Sequence, residues 1–149
     1  DLLLSVLLTD EKNSHEYFVH KYNTSNKIKD NLDLFAKNLK ILKENKNFFD
    51  KDLEKNIYFN GKNHLIDLNI ANFTINNKVN LKDFLKILRK ILHSKLHEFP
   101  VDGKFLIQNG MKEGATLGKV LKLIEKEWIK NNFSISKNRV AQLIKLNLN

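Results

Sequence analysis

Lys82, Lys86, Arg89, His93 and His97 follow one another at spacings of four, three, four and four residues, which places all five on one face of a helix. Lys90 stands beside that row. Cations recurring about every turn, roughly 5–6 Å along a helix axis, suit the regularly spaced phosphates of a nucleic-acid backbone. Lys119, Lys122, Lys126 and Lys130 repeat the pattern further on. Between the rows lie Gly110, Gly114 and Gly118, with Lys112 and Lys119 among them. Glycine lets a backbone approach a ligand closely, and free amides at a helix start attract phosphate. Each pattern also has an ordinary reading. A lysine row can be a solvated helix face, and spaced glycines can make a tight helix–helix turn with Thr116 as N-cap.

Other chemistry finds less support. His93 and His97 have the spacing of a helical metal pair, yet a third ligand is missing and the sequence contains no cysteine. Asp50-Lys51-Asp52 has the spacing of paired carboxylates that hold magnesium in nucleotide transfer. It runs directly into Leu53-Glu54-Lys55, so helix capping and dipole complementation account for both acids. No nucleophile–base arrangement emerges among the five histidines. Neither a catalytic group nor a metal site is expected here.

The net charge of +9 sits unevenly along the 149 residues. Residues 1–80 carry 12 basic and 11 acidic side chains, whereas 81–149 carry 14 and 6. Lysine-rich composition from AT-rich codons would act on both halves alike, so the asymmetry favours a polyanionic partner for the second half. The apolar run of residues 2–8 follows Asp1 in place of a basic segment and is far short of the ~20 residues of a membrane span. It predicts a buried helix, neither signal peptide nor anchor. A start at Asp1, with Met111 the single methionine, suggests a fragment or processed product. Absence of cysteine fits the cytoplasm.

The elements that must position these residues are helical almost throughout. One proline and five glycines argue against a β-rich fold with many turns, so the expected class is all-α. Thr24 or Ser25 caps a helix whose stripe is Ile28, Leu32, Phe35, Leu39 and Leu42. Asp50 or Asp52 opens a short helix that ends at Asn60-Gly61, and another covers about 63–73. Asn80 caps a long helix through Leu81, Leu85, Leu88, Leu92 and Leu96, stopped at Phe99-Pro100, with these leucines buried opposite the cations. Further helices cover about 104–109, 116–131 and from 136 onward. Trp128 and most of the ten phenylalanines fit core positions. A seam near Phe99 divides a body region, 1–98, from a tail, 99–149, although the two can form one lobe.

The segment Phe99-Pro100-Val101-Asp102-Gly103-Lys104-Phe105-Leu106-Ile107-Gln108-Asn109-Gly110, continued by Gly114, Leu117-Gly118-Lys119-Val120-Leu121, Glu125 and Trp128, resembles the C-terminal part of the bacterial class II CCA-adding tRNA nucleotidyltransferases and poly(A) polymerases. That family has a Pro-x-x-Gly-x-x-Leu segment before a Gly-x-x-x-Gly-x-x-x-Gly turn and a helix. The likeness is specific over 99–133 and is only a helical pattern upstream. Ala115 stands where such enzymes often have proline after the middle glycine. The family's catalytic Gly-Ser and Asp-x-Asp pairs and its Glu-Asp-x-x-Arg motif have no counterpart here beyond the capping pair Asp50/Asp52.

The resemblance thus implies an all-α multi-helix array, the family's body and tail, that holds tRNA while a head domain outside these residues adds nucleotides. It implies magnesium for that head and no cofactor for this chain. The expected RNA contacts are Lys82, Lys86, Arg89, Lys90, Lys112, Lys119 and Lys122, with Gly110, Gly114 and Gly118. One alternative is a helical protein-interaction module or separate subunit serving a catalytic head encoded elsewhere. Another is a complete enzyme working through Asp50 and Asp52.

Overall fold

Apolar residues at alternating spacings of four and three must find a partner for their stripe, and the computed structural model, which describes residues 2–8 and 13–147, shows which partners they take. Among the described residues there are helices and no strands, so the chain is all-α. It divides into two units, Asp1–Leu96 and His97–Asn149, each with its own core. Asp1, from which the start was read, and the side chains of Leu3 and Leu4 lie outside the described residues.

The first unit contains α1 (Leu2–Leu8), α2 (Ser14–Tyr22), α3 (Asn26–Glu44), α4 (Leu53–Asn60), α5 (Lys62–Ile75) and α6 (Leu81–His93). α3 buries Leu32, Phe35 and Leu39 of its stripe but leaves Ile28 exposed. α5 is apolar around most of its circumference, which suits a helix packed on several sides. It contacts α3, α4 and α6 and buries Leu65, Leu68, Asn69 and Ala71. Gly61, at φ +80°, ends α4 and starts α5, a left-handed turn that glycine adopts without strain.

α2 has no counterpart in the sequence reading. Its residues lack a strong apolar stripe, and it is bounded by Asn13 and Asn23, both in left-handed conformation at φ 56° and 45°. Asparagine tolerates that region better than most residues. His15 on α2 is buried, with Nε2 3.6 Å from Asp33 Oδ1 on α3.

α6 begins as expected. Asn80 Oδ1 accepts the Asp83 amide at 2.9 Å, and Asn80 Nδ2 donates to Asp83 Oδ2 at 2.9 Å. It faces α5 through buried Ile91, half-buried Ile87 and Phe84, whose ring centroid lies 4.9 Å from that of Phe73. Asn69 Nδ2 donates to Phe84 O at 3.1 Å, and Lys62 Nζ donates to Leu92 O at 2.8 Å near the helix end. Burial of Ile91 alone contributes ~1.5–3 kcal/mol.

Two expectations for this helix are corrected. Leu81, Leu85 and Leu92 are exposed, because Phe84, Ile87 and Ile91 occupy the face that α5 covers. The helix also stops at His93 rather than Phe99-Pro100. Ser94 turns extended, at ψ 144°, and its amide and hydroxyl both bond back to Lys90 O. Leu96 lies beyond the helix and is exposed.

The second unit contains α7 (Gly103–Gln108), α8 (Ala115–Lys130) and α9 (Lys137–Lys145) around Val101, Leu106, Met111, Val120, Ile124, Val140, Leu143 and Ile144. Trp128 is buried, as its position in the apolar stripe implies. Asp102 Oδ1 caps α7 by accepting Phe105 N at 2.8 Å, and Ser136 Oγ caps α9 by accepting Arg139 N at 3.2 Å. α8 starts one residue earlier than expected. Gly114 takes the N-cap position at φ +142°, which leaves Thr116 inside the helix.

Gly110 closes α7 in a Schellman arrangement. Met111 N donates to Leu106 O, Gly110 N donates to Ile107 O, and Gly110 sits at φ +94°. Buried Met111 joins Leu106 in the same core, the apolar contact that accompanies this motif. Gly110→Ala is expected to destabilise the second unit by ~1–2 kcal/mol, measured by urea unfolding.

In the first unit, Asn38 Nδ2 donates to His64 Nε2 at 3.0 Å, which requires a neutral imidazole with its proton on Nδ1. Burial holds the His64 pKa below its ordinary value, with Asp67 partly opposing. The neutral ring therefore supports folding fully above the unfolded-state pKa of about 6.5, and that support is lost as pH falls through the lower folded value. Stability should decline between pH 7.5 and 5.5, and decline less in His64→Gln, as read from paired denaturation curves at the two pH values.

Candidate nucleic-acid interface

A charge serves a ligand only when no internal partner holds it, so each expected contact is decided by its neighbours. On α6, Lys82, Lys86 and Arg89 are exposed on one face. Their side chains form no ion pair or hydrogen bond among the described residues, although Lys86 lies within electrostatic reach of Asp50. From Lys82 to Arg89 the row advances about 10 Å along the axis.

Two members of the expected row stand apart. Lys90 is half-buried and its Nζ donates to Asp50 Oδ1 at 2.6 Å, joining α6 to the turn before α4. The same bond and charge hold the Asp50 carboxyl below its ordinary pKa. His97 lies past the end of α6, so it does not continue the row. Its ring instead stacks on Phe133, with centroids 3.9 Å apart and planes 4° from parallel, while Trp128 meets both rings edge-on. His93 remains on the helix, with Nδ1 2.9 Å from Arg89 O. The helical histidine pair considered for metal binding is therefore not formed.

In the second unit, Lys119, Lys122, Lys126 and Lys130 are all exposed on the side of α8 opposite buried Val120, Ile124 and Trp128. That row extends about 16 Å. Lys112 is exposed in the turn that leads into it. Arg139 is committed elsewhere: Nε and Nη2 donate to the two Glu127 oxygens at 2.6 and 2.9 Å, a bidentate tie between α8 and α9. This hydrogen-bonded pair lowers the Glu127 pKa and raises that of Arg139.

The three glycines separate into different roles. Gly110 is required by the turn after α7, and Gly114 by the left-handed N-cap of α8. Gly118 lies within α8, exposed, and a Cβ added there would meet nothing within 4 Å. Neither the backbone nor the local packing demands glycine at that position. Gly114 has no side chain to accept from the first amides of α8, and the item of helix geometry that matters is that these amides point away from the helix toward the incoming turn.

Asp50 and Asp52 do not make a magnesium pair. Asp50 is held by Lys90, and Asp52 Oδ2 accepts Asn45 Nδ2 at 2.9 Å. Asp52 does stand at the N-cap of α4, but its side chain makes no capping hydrogen bond, and Asp50 lies before the cap. Among the described residues no three histidine, cysteine, aspartate or glutamate side chains gather closely enough to hold a metal ion. No helix among them is long and apolar enough to cross a membrane.

The sequence reading missed the exposed leucines of α6 and the left-handed backbone of Asn132 and Phe133, at φ 53° and 58°. The first had a visible signal, a second apolar stripe of Phe84, Ile87 and Ile91 on the same helix. The second had none, since a bulky residue gives no warning of positive φ.

Residues 2–144 match the family model described as tRNA nucleotidyltransferase domain 2. No curated protein and no solved structure gives a significant match.

Proposed function

The chain belongs to the tRNA nucleotidyltransferase domain 2 family, and from that premise we propose that it is the tRNA-binding C-terminal part of a CCA-adding tRNA nucleotidyltransferase or poly(A) polymerase. In this reading it positions the tRNA 3′ end for nucleotide addition by a head domain outside these residues, in cis or as a separate chain. Magnesium belongs with that head, because the carboxylates here are held by Lys90 and Asn45. A cytoplasmic location accompanies tRNA as partner.

The observation that carries the reading is the division of cations into committed and uncommitted sets. Lys90 and Arg139 hold the fold together, whereas Lys82, Lys86, Arg89, Lys112, Lys119 and Lys122 are exposed with no ion pair among the described residues. Duplex RNA is recognised largely through backbone and shape, for which rows of flexible ammonium groups suffice. A helical arm that grips tRNA away from the reacting end converts binding energy into placement of the terminal hydroxyl. The α8 start contributes its amides, with Gly114 and Gly118 allowing a phosphate backbone to come close.

With about five phosphates engaged, log affinity for tRNA should fall against log salt with a slope of roughly −3 to −5; a slope near zero in filter binding overturns the proposal. Lys119→Glu with Lys122→Glu, and Lys86→Glu with Arg89→Glu, should each weaken binding across tRNA sequences and flatten that slope by about two. Gly118→Ala separates fold from ligand. It should stabilise α8 by about 0.5–1 kcal/mol, as alanine is the better helix former, while weakening tRNA binding through the added methyl. A variant that gains stability with unchanged affinity removes Gly118 from the interface.

A further inference from the structure

The exposed leucines of α6 are not scattered. Leu81, Leu85, Leu88 and Leu92 recur at spacings of four, three and four, the 3.5-residue period of a coiled-coil seam. Leu81, Leu85 and Leu92 are 58%, 39% and 53% exposed, and Leu88 is half-buried. With Leu85 and Leu92 at a and Leu81 and Leu88 at d, the g flank is Phe84 and Ile91, which face α5, and the e flank is Lys82 and Arg89, which face solvent. The seam thus has one side closed by the unit's own core and one side lined by cations.

We propose that this face of α6 is a docking seam for an amphipathic helix of another polypeptide, one whose apolar stripe is flanked by aspartate or glutamate. Charge at the e position selects partners by pairing with the opposing flank, and Lys82 and Arg89 demand acids there. A second copy of this chain fits poorly. Paired antiparallel, it sets Lys82 and Arg89 against the same cations; paired parallel, it meets the side that α5 already fills. A bare phosphate backbone satisfies the cations and leaves the leucines in water. The seam is about 16 Å long, which suits a reversible contact. The inference stands apart from the tRNA reading, because it concerns the leucines and is measured without RNA. Occupation of the seam and RNA contact by Lys82 and Arg89 exclude each other.

The test uses a labelled synthetic three-heptad peptide with leucine at a and d and glutamate at e and g, followed by fluorescence anisotropy with the full chain. A matched peptide carries lysine in place of glutamate. The glutamate peptide should bind at least about tenfold more tightly than the lysine peptide. Leu85→Ser with Leu92→Ser, at exposed positions, should weaken it by about tenfold with an unchanged helical circular-dichroism signal. Lys82→Glu with Arg89→Glu should reverse the preference between the two peptides. Failure of the glutamate peptide to bind overturns the proposal, as does binding that survives the leucine substitutions, which reports charge attraction alone. Leucine-dependent binding to phosphatidylglycerol vesicles without peptide binding assigns the face to a lipid surface and overturns it equally.

Discussion

Packing of α6 against α5 determines what the basic half of the first unit can offer to a partner. A helix has one circumference, and on α6 three residue sets compete for it. Phe84, Ile87 and Ile91 meet the central helix and its neighbours, and that contact is reinforced by the Asn69 and Lys62 bonds to α6 carbonyls. With that face committed, the leucines rotate to the surface beside the cations. Lys90, next around the helix, is drawn down to Asp50. The solvent side that remains is half apolar and half cationic, and both functional proposals for α6 descend from that division.

α8 solves the same problem more simply. Its buried stripe of Val120, Ile124 and Trp128 lies opposite its lysines, so its solvent face is cationic, with Leu123 the large apolar side chain exposed there. The turn that delivers α8 is rigid for a local reason: Gly110 and Met111 close α7 by bonding back to it, and Met111 is then buried against Leu106. The glycine spacing that suggested a ligand loop therefore serves geometry at Gly110 and Gly114. Gly118 alone lacks such a duty.

Much of this was legible in the residues. The helical class, the α3 stripe, the Asn80 cap and the exposed α8 lysines follow from local periodicity and capping chemistry, which depend on neighbours a few positions away. What could not be read depends on distant partners. Lys90 and Asp50 are 40 positions apart, and Arg139 reaches Glu127 across the turn between two helices. The choice between two apolar stripes on α6 belongs to α5, not to α6. α2 escaped notice because left-handed asparagines bound a segment with little amphipathic pattern.

The use of arginine sharpens the electrostatic argument. Of 26 basic side chains only Arg89 and Arg139 are arginine. Arg139 spends its planar fork on the two Glu127 oxygens, the geometry a guanidinium matches best. Lysine is a hydrated point charge on a flexible stem, able to follow a phosphate backbone without reading bases. A surface supplied mainly with lysine therefore positions a polyanion more readily than it discriminates among sequences. That property suits a partner whose many members share a shape and differ in sequence. Arg89 is the exception on this surface, and its place at the seam flank is where a fixed carboxylate would use its fork.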